Sequence, residues 1–345
     1  MSSHIRLSWI RLAAVFALLM AFTSSAAIAQ QMNIRAMRVF HYSTQSDEAY
    51  AKADWERAIF YRELVANLAP LDHLNYYNLA CCYALDGQTD KAFEALDNSI
   101  RYGWCDTNHI KRDTDLDSLR DDDRYQTTLQ SADECNRESQ FVHEPASAKN
   151  NKSVELLIAL CGFGGNPREF GHAWIPVADQ LGVPVVALKG RGETGSNGVY
   201  GWHKGQNPRD LDIEGTAQLI DDAIEKRGVD PAKVIIVGFS QGGAVALKLM
   251  AEHPEKYRGA VTIAGGKDPE VFGNWIANAE NSKPRVFMIA GVLDKNRPHG
   301  EPAMQPIVDA GIRFKYELLP QVGHEMPVDS TNLYVEAIEF LTEDG

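Results

Sequence analysis

The chain has 345 residues, of which 44% are apolar and 23% charged, and a formal net charge of -13. That length exceeds one ordinary domain, so two folded units plus a targeting segment are expected. The negative field would repel phosphate backbones and anionic lipid, so no nucleic-acid partner is expected, and nothing in the composition marks a collagen-like, disordered or disulfide-dense class.

At the amino terminus His4, Arg6 and Arg11 precede a short apolar run, Leu12 to Phe22, which leads into Ala27-Ile28-Ala29. Cations, a short apolar run and a small-x-small ending read as a secretory signal peptide over residues 1–29, cleaved before Gln30. The run is shorter than the roughly 20 residues a spanning helix needs, so no stable membrane span is expected after cleavage. The expected location is outside the cytoplasm, periplasmic or secreted. All five cysteines, Cys81, Cys82, Cys105, Cys135 and Cys161, follow the signal, so export would let disulfides persist. Five is odd, which leaves at least one unpaired. Cys81 and Cys82 read as buried helix filler, Cys105 with Cys135 is one available pairing that sequence does not decide, and none has metal-site spacing.

From residue 30 to 141 the expectation is a small all-α domain. Apolar residues recur three and four apart from Asp47 to about Leu129 without strand alternation. One helix opens at Asp54-Trp55 and stops before Pro70, a second covers Asn75 to Leu85 before Asp86-Gly87, a third covers Thr89 to Tyr102, and Asp115 to Leu129 reads as an additional helix. Ala58 and Ala92 stand 34 residues apart, and with Leu79, Ala80 and Tyr83 they resemble the packing positions of about one and a half tetratricopeptide repeats. Arg62 and Val65 depart from that pattern, which prefers an aromatic and a small residue there. The alternative is a plain helical bundle. The resemblance implies a helical surface able to hold a peptide or protein partner.

Residues 142–152 are polar and small, with Pro145, Ser147 and Lys149-Asn150-Asn151-Lys152, and read as a linker. From 153 to 345 short, continuously apolar, β-branched runs alternate with helices. The strands are expected at Val154 to Leu160, Val183 to Leu188, Val234 to Val237, Ala260 to Ile263, Arg285 to Ala290 and Lys315 to Leu319; helices fall at Ile213 to Lys226, Ala244 to Glu252 and Ala303 to Asp309. Such runs suit central parallel strands, so the fold class expected is α/β, a doubly wound and mostly parallel sheet. The long glycine-rich stretch Lys189 to Asp210 has no assignable shape.

The chemistry sits at the ends of those strands. Lys233 to Val237 runs into Gly238-Phe239-Ser240-Gln241-Gly242-Gly243 and then a helix, the context a nucleophile elbow requires. A serine hydroxyl needs a base to take its proton and an acid to orient that base, in the chain order serine, acid, histidine. Asp294 follows the strand Arg285 to Ala290, and His324 lies in the loop after the last expected strand. Asp268 is the rival acid; His253 and His299 read as surface residues. Two backbone N–H groups must face the developing oxyanion, and they are expected from Gln241, after the serine, and from Phe163 in Leu160-Cys161-Gly162-Phe163-Gly164-Gly165.

These motifs, with Ala290-Gly291-Val292-Leu293-Asp294 and Gly323-His324-Glu325, resemble the phospholipase/carboxylesterase branch of the α/β hydrolases, from about Val154 to Leu341. The resemblance implies a triad of Ser240, His324 and Asp294, an ester or thioester substrate, and no metal or organic cofactor. It also places Trp202 as an aromatic beside the substrate cleft, with core packing as the competing role. Cys161 stands where the family has histidine, which bears on loop geometry and acyl preference. Two other functions share these residues: a peptidase of the same fold, and an inert repeat-containing binding protein of the cell envelope.

Overall fold

A computed structural model describes residues 34–147, 153–194, 198–266, 268–280, 284–297, 304–327 and 330–343. The expected signal peptide and residues 148–152 of the expected linker lie outside those residues. Among the described residues no helix is long and apolar enough to cross a membrane.

The first region is helical throughout: α1 (34–50), α2 (Trp55–Leu68), α3 (His73–Leu85), α4 (Thr89–Arg101), α5 (Thr107–Arg112), a 3-10 segment (Thr114–Leu119) and α6 (Asp123–Arg137). Aspartates start most of these helices. Asp54, Asp72, Asp106 and Asp122 each accept a hydrogen bond from a first-turn N–H that has no partner inside its helix. The expected helix Asp115 to Leu129 is a correction: a 3-10 segment, a turn and the later helix α6 occupy that stretch, because Asp113 and Asp122 each cap a new start. Ala58, Ala92, Leu79, Ala80 and Tyr83 are all buried where α2, α3 and α4 meet. Arg62 is buried as well, hydrogen-bonded to Asn75 and ion-paired with Asp47. A buried guanidinium needs such partners, and they let a cation stand in an apolar slot. Cys105 and Cys135 form a disulfide, while Cys81, Cys82 and Cys161 are free and buried.

The second region contains a seven-stranded sheet in the order β1-β3-β2-β6-β7-β8-β9. Its strands are β1 (Gln140–His143), β2 (Leu156–Leu160), β3 (Val185–Leu188), β6 (Val234–Phe239), β7 (Gly259–Ile263), β8 (Arg285–Gly291) and β9 (Arg313–Leu319). All neighbours are parallel except β1, which runs antiparallel to β3 at the edge. Two short strands, β4 (Gly192–Glu193) and β5 (Tyr200–Gly201), pair within the stretch that had no assignable shape. Strands β2, β3 and β7 are buried at every position, as parallel strands covered on both faces must be. The covering helices are α7 (Pro167–Leu181), α8 (Ile213–Arg227), α9 (Gln241–Glu252), α10 (Pro269–Asn278), α11 (Gln305–Asp309) and α12 (Thr331–Thr342).

Strand β1 moves the expected boundary. Residues 142 and 143, assigned to the linker, and 140 and 141, assigned to the helical domain, are hydrogen-bonded into the sheet. The segment is only half-buried and carries Gln140 and His143, so it lacks the continuous apolar run that marks the central strands.

The two regions touch through named bonds. Arg168 on α7 pairs with Glu138 and donates to Ile100 O at 3.4 Å. Lys189 Nζ donates to Asn136 O at 2.7 Å, and Asn166 Nδ2 to Gly103 O at 2.8 Å.

Candidate active site

Strand β6 ends at Phe239, and Ser240 follows in a left-handed conformation with φ 50° and ψ -116° before α9 begins. Such a conformation costs about 1–3 kcal/mol for a residue with a side chain and persists only where its surroundings impose it. Here they do. Ser240 N donates to Ile263 O at 2.8 Å, and a Cβ on Gly238 or Gly242 would stand 2.5 Å from Gly242 O or 2.2 Å from Leu160 O. Only glycine allows the turn to close that tightly against its neighbours.

Asp294 follows β8 and His324 follows β9, adjacent parallel strands. Their loops are stitched together by Val292 N to Leu319 O and Leu293 N to Val322 O, both 2.9 Å. His324 Nδ1 consequently lies 2.9 Å from Asp294 Oδ2, and His324 Nε2 lies 2.7 Å from Ser240 Oγ. The Asp294 side chain is 0% exposed, and Asn296 N donates to its other oxygen at 2.8 Å. A buried carboxylate held in this way fixes the imidazole with Nδ1 protonated and Nε2 free to accept. The three expected residues are thus brought into one hydrogen-bonded line. The rivals are elsewhere: Asp268 caps α10 and pairs with Lys248 at 3.2 Å, His253 is exposed at the end of α9, and His299 lies outside the described residues.

The loop 161–166 is fixed from two sides. Gly164 N donates to Tyr200 O and Tyr200 N to Gly165 O, both 2.9 Å, and Trp202 Nε1 donates to Cys161 O at 2.7 Å. Gln241 joins the same mesh, its Oε1 accepting from Trp202 N at 2.8 Å and its Nε2 donating to Pro208 O at 2.6 Å. Among the described residues no protein acceptor takes the N–H of Phe163 or of Gln241. A Cβ on Gly162 would stand 3.3 Å from Ser240 Cβ, which places this loop directly over the serine.

Trp202 is a correction. It is 1% exposed and braces the loop through its indole N–H instead of presenting a face to a cleft. Large rings near an active site pack or bind with equal ease, and residue type alone does not separate the two. Cys161 is buried, and burial pushes its thiol up to about 12, so it is no thiolate nucleophile at neutral pH. Asn166 was not singled out from sequence. It caps α7 through Glu169 N at 3.0 Å while its amide nitrogen reaches the helical region. The run Asn166-Pro167-Arg168-Glu169 is a legible helix start, with a cap residue, proline in the first turn and glutamate three residues on.

A mostly parallel sheet with a serine on a strained turn after a central strand, and acid and histidine after later strands, defines an α/β hydrolase. Residues 206–333 match the phospholipase/carboxylesterase family, so the chain carries a domain of that family. It is 34% identical over 118 residues to "Putative esterase NocK" of Nocardia uniformis subsp. tsuyamanensis, 32% of either chain, so it spans about a third of that relative's length. It is 25% identical over 209 residues to acyl-protein thioesterase 1 of Debaryomyces hansenii, covering 53% of this chain and 88% of that one. Among solved structures it is similar to esterase PE8, with 24% identity, 59% of this chain and 98% of that chain covered, and a TM-score of 0.46.

Proposed function

We propose that the protein is a serine esterase that hydrolyses carboxylic esters, thioesters included, through an acyl-enzyme. The observation that carries this reading is the continuous line from Ser240 Oγ through His324 to the buried Asp294. Ser240 Oγ attacks the carbonyl carbon while His324 Nε2 takes its proton. The charge that forms on the carbonyl oxygen is held by the N–H groups of Phe163 and Gln241, the latter at the amino end of α9, where the helix dipole favours it. Collapse expels the alcohol, or thiol, which receives the proton from His324; water then repeats the sequence and frees the acid. Asp294 keeps the imidazole in the productive tautomer and stabilises its charged form.

The thioester arm is supported by the likeness to acyl-protein thioesterase 1, and it needs no different residues. Location outside the cytoplasm is part of the reading, supported by the signal-like residues 1–29 and by the Cys105–Cys135 disulfide, which persists in an oxidising compartment. A tetratricopeptide-like role for the helical region, with a bound peptide, belongs to it as well, supported by the buried Ala58 and Ala92 at the matched spacing.

The test is turnover of short aryl esters and labelling by a fluorophosphonate. Ser240→Ala is expected to abolish labelling and to lower kcat by about ten-thousandfold or more. Undiminished turnover in that variant, or wild-type protein inert to both reagents, would sink the reading. An aminoacyl amide cleaved faster than the matching ester would point to the peptidase instead.

A further inference from the structure

Beside the loop that covers Ser240 lies a cavity of about 830 Å³, walled by both regions of the molecule. The α/β region supplies Phe170, Phe239 and Tyr334, and the helical region supplies Leu71 and Tyr102. Its volume is near the upper end of ordinary ligand pockets, far more than an acetyl group fills. The seam between the regions is closed there, since the Tyr102 ring meets His172 edge-on at 5.2 Å and His73 faces Glu169 at 3.9 Å.

The cavity begins at Gly162 and Phe163, whose backbone would face the carbonyl oxygen; Phe239, the residue before Ser240, is on its wall, while neither Ser240 nor His324 is. The departing alcohol must receive its proton from His324 Nε2, so it lies toward the imidazole. The part of the ester directed into the cavity is therefore the acyl chain. We propose that the helical region forms the far wall of the acyl pocket, and that Leu71 and Tyr102 set the length of the apolar acyl chain accepted. This inference rests on the esterase reading above.

Two ionisable groups on the walls, Glu169 and His172, agree with an apolar occupant. Burial raises the Glu169 carboxyl, an effect the facing His73 opposes and Asp72 adds to, and burial lowers the His172 imidazole, so both are drawn toward their uncharged forms. The Glu169 side chain is 46% exposed where it lines the open cavity, which limits the size of this effect. Arg35, also on the wall, donates to Leu68 O.

The experiment is a series of p-nitrophenyl esters from acetate to decanoate, run on the full mature chain as wild type, Leu71→Trp and Tyr102→Ala. Wild-type kcat/KM should rise about fourfold per methylene, the equivalent of about 0.8 kcal/mol per buried CH2, until the cavity is full. Leu71→Trp should leave acetate within about twofold and cut decanoate by about tenfold or more, because added bulk removes space from the distal end only. Tyr102→Ala should flatten the long-chain end by about fivefold with acetate unchanged, and it carries the test alone if circular dichroism shows Leu71→Trp unfolded. Chain-length profiles that superimpose on wild type overturn the proposal while acetate turnover leaves the esterase reading standing. A loss that follows alcohol length in a series of acetate esters, and not acyl length, also overturns it. Wild-type protein with no turnover and no fluorophosphonate labelling overturns the esterase reading first.

Discussion

The helical region and the α/β region build their interiors from different material. The central strands are apolar at nearly every buried position, from Leu156 to Leu160 and from Val234 to Val237, and their backbone groups are consumed by neighbouring strands. The helical interior is mixed: Arg62 with Asn75, Tyr77 hydroxyl donating to Asp113 at 2.7 Å, and Thr107 donating to Asp133 at 2.6 Å lie among its apolar contacts. A small set of short helices has little surface to bury, and a covalent link between Cys105 and Cys135 supplements it. The lesson concerns division of labour. The region that holds a strained serine is built on the rigid sheet, while the more weakly cored region borders the space where substrates differ.

That contrast can be broken by experiment. After the expected effect of Ser240→Ala, the largest is on the helical region alone. The double substitution Cys105→Ser/Cys135→Ser opens a loop of sequence separation 30. It should cost about 3.5 kcal/mol by the loop-entropy relation, read as a lowered midpoint for a transition that spares the sheet. An unchanged urea midpoint would show that the disulfide is not what compensates for the small core.

Next comes the elbow. Gly242→Ala would put a Cβ 2.2 Å from Leu160 O and 2.5 Å from Cys161 O, both backbone atoms that cannot swing aside. The loop over Ser240 must shift, and displacement of catalytic groups by about 1 Å costs on the order of a hundredfold in rate. Ester turnover should fall by about that factor with the helical transition unmoved. A variant with wild-type kcat would mean that the sheet tolerates motion where the structure implies none.

The smallest effect lies at the seam. Glu169 has its carboxyl raised by burial, so the folded state holds a proton that the unfolded state has released once pH exceeds the ordinary carboxylate value. Stability is therefore lost as pH rises through the window between the unfolded value and the raised folded one. Glu169→Gln should be neutral in strong acid and should raise Tm at pH 7 by no more than about 2 °C, the half-exposed side chain limiting the gain. A destabilised variant at pH 7 would show that the carboxylate is used charged, through His73.

Much of the site was legible because its parts obey local rules. The strand-turn-helix around Ser240 needs glycines at 238 and 242, and the order serine, aspartate, histidine along the chain reflects where loops leave successive parallel strands. Strand β1 was not legible, because an edge strand pairs without a continuous apolar run. The break inside Asp115 to Leu129 was hidden because aspartates in a helical stretch read equally as surface charge or as caps. The resemblance places Trp202 beside the cleft with core packing as the competing role, and its burial depends on where Cys161 O lies, 41 positions away.

By itself the sequence determined the α/β grammar, the elbow and the three residues that line up through it, since strand period, turn sterics and chain order are properties of neighbours along the chain. Only the tertiary structure decided that Leu71 and Tyr102 face the same cavity as Phe239 and Tyr334. No periodicity records that meeting, because it depends on how two regions with separate cores dock, through contacts such as Asn166 to Gly103 and Lys189 to Asn136, between residues distant in the chain.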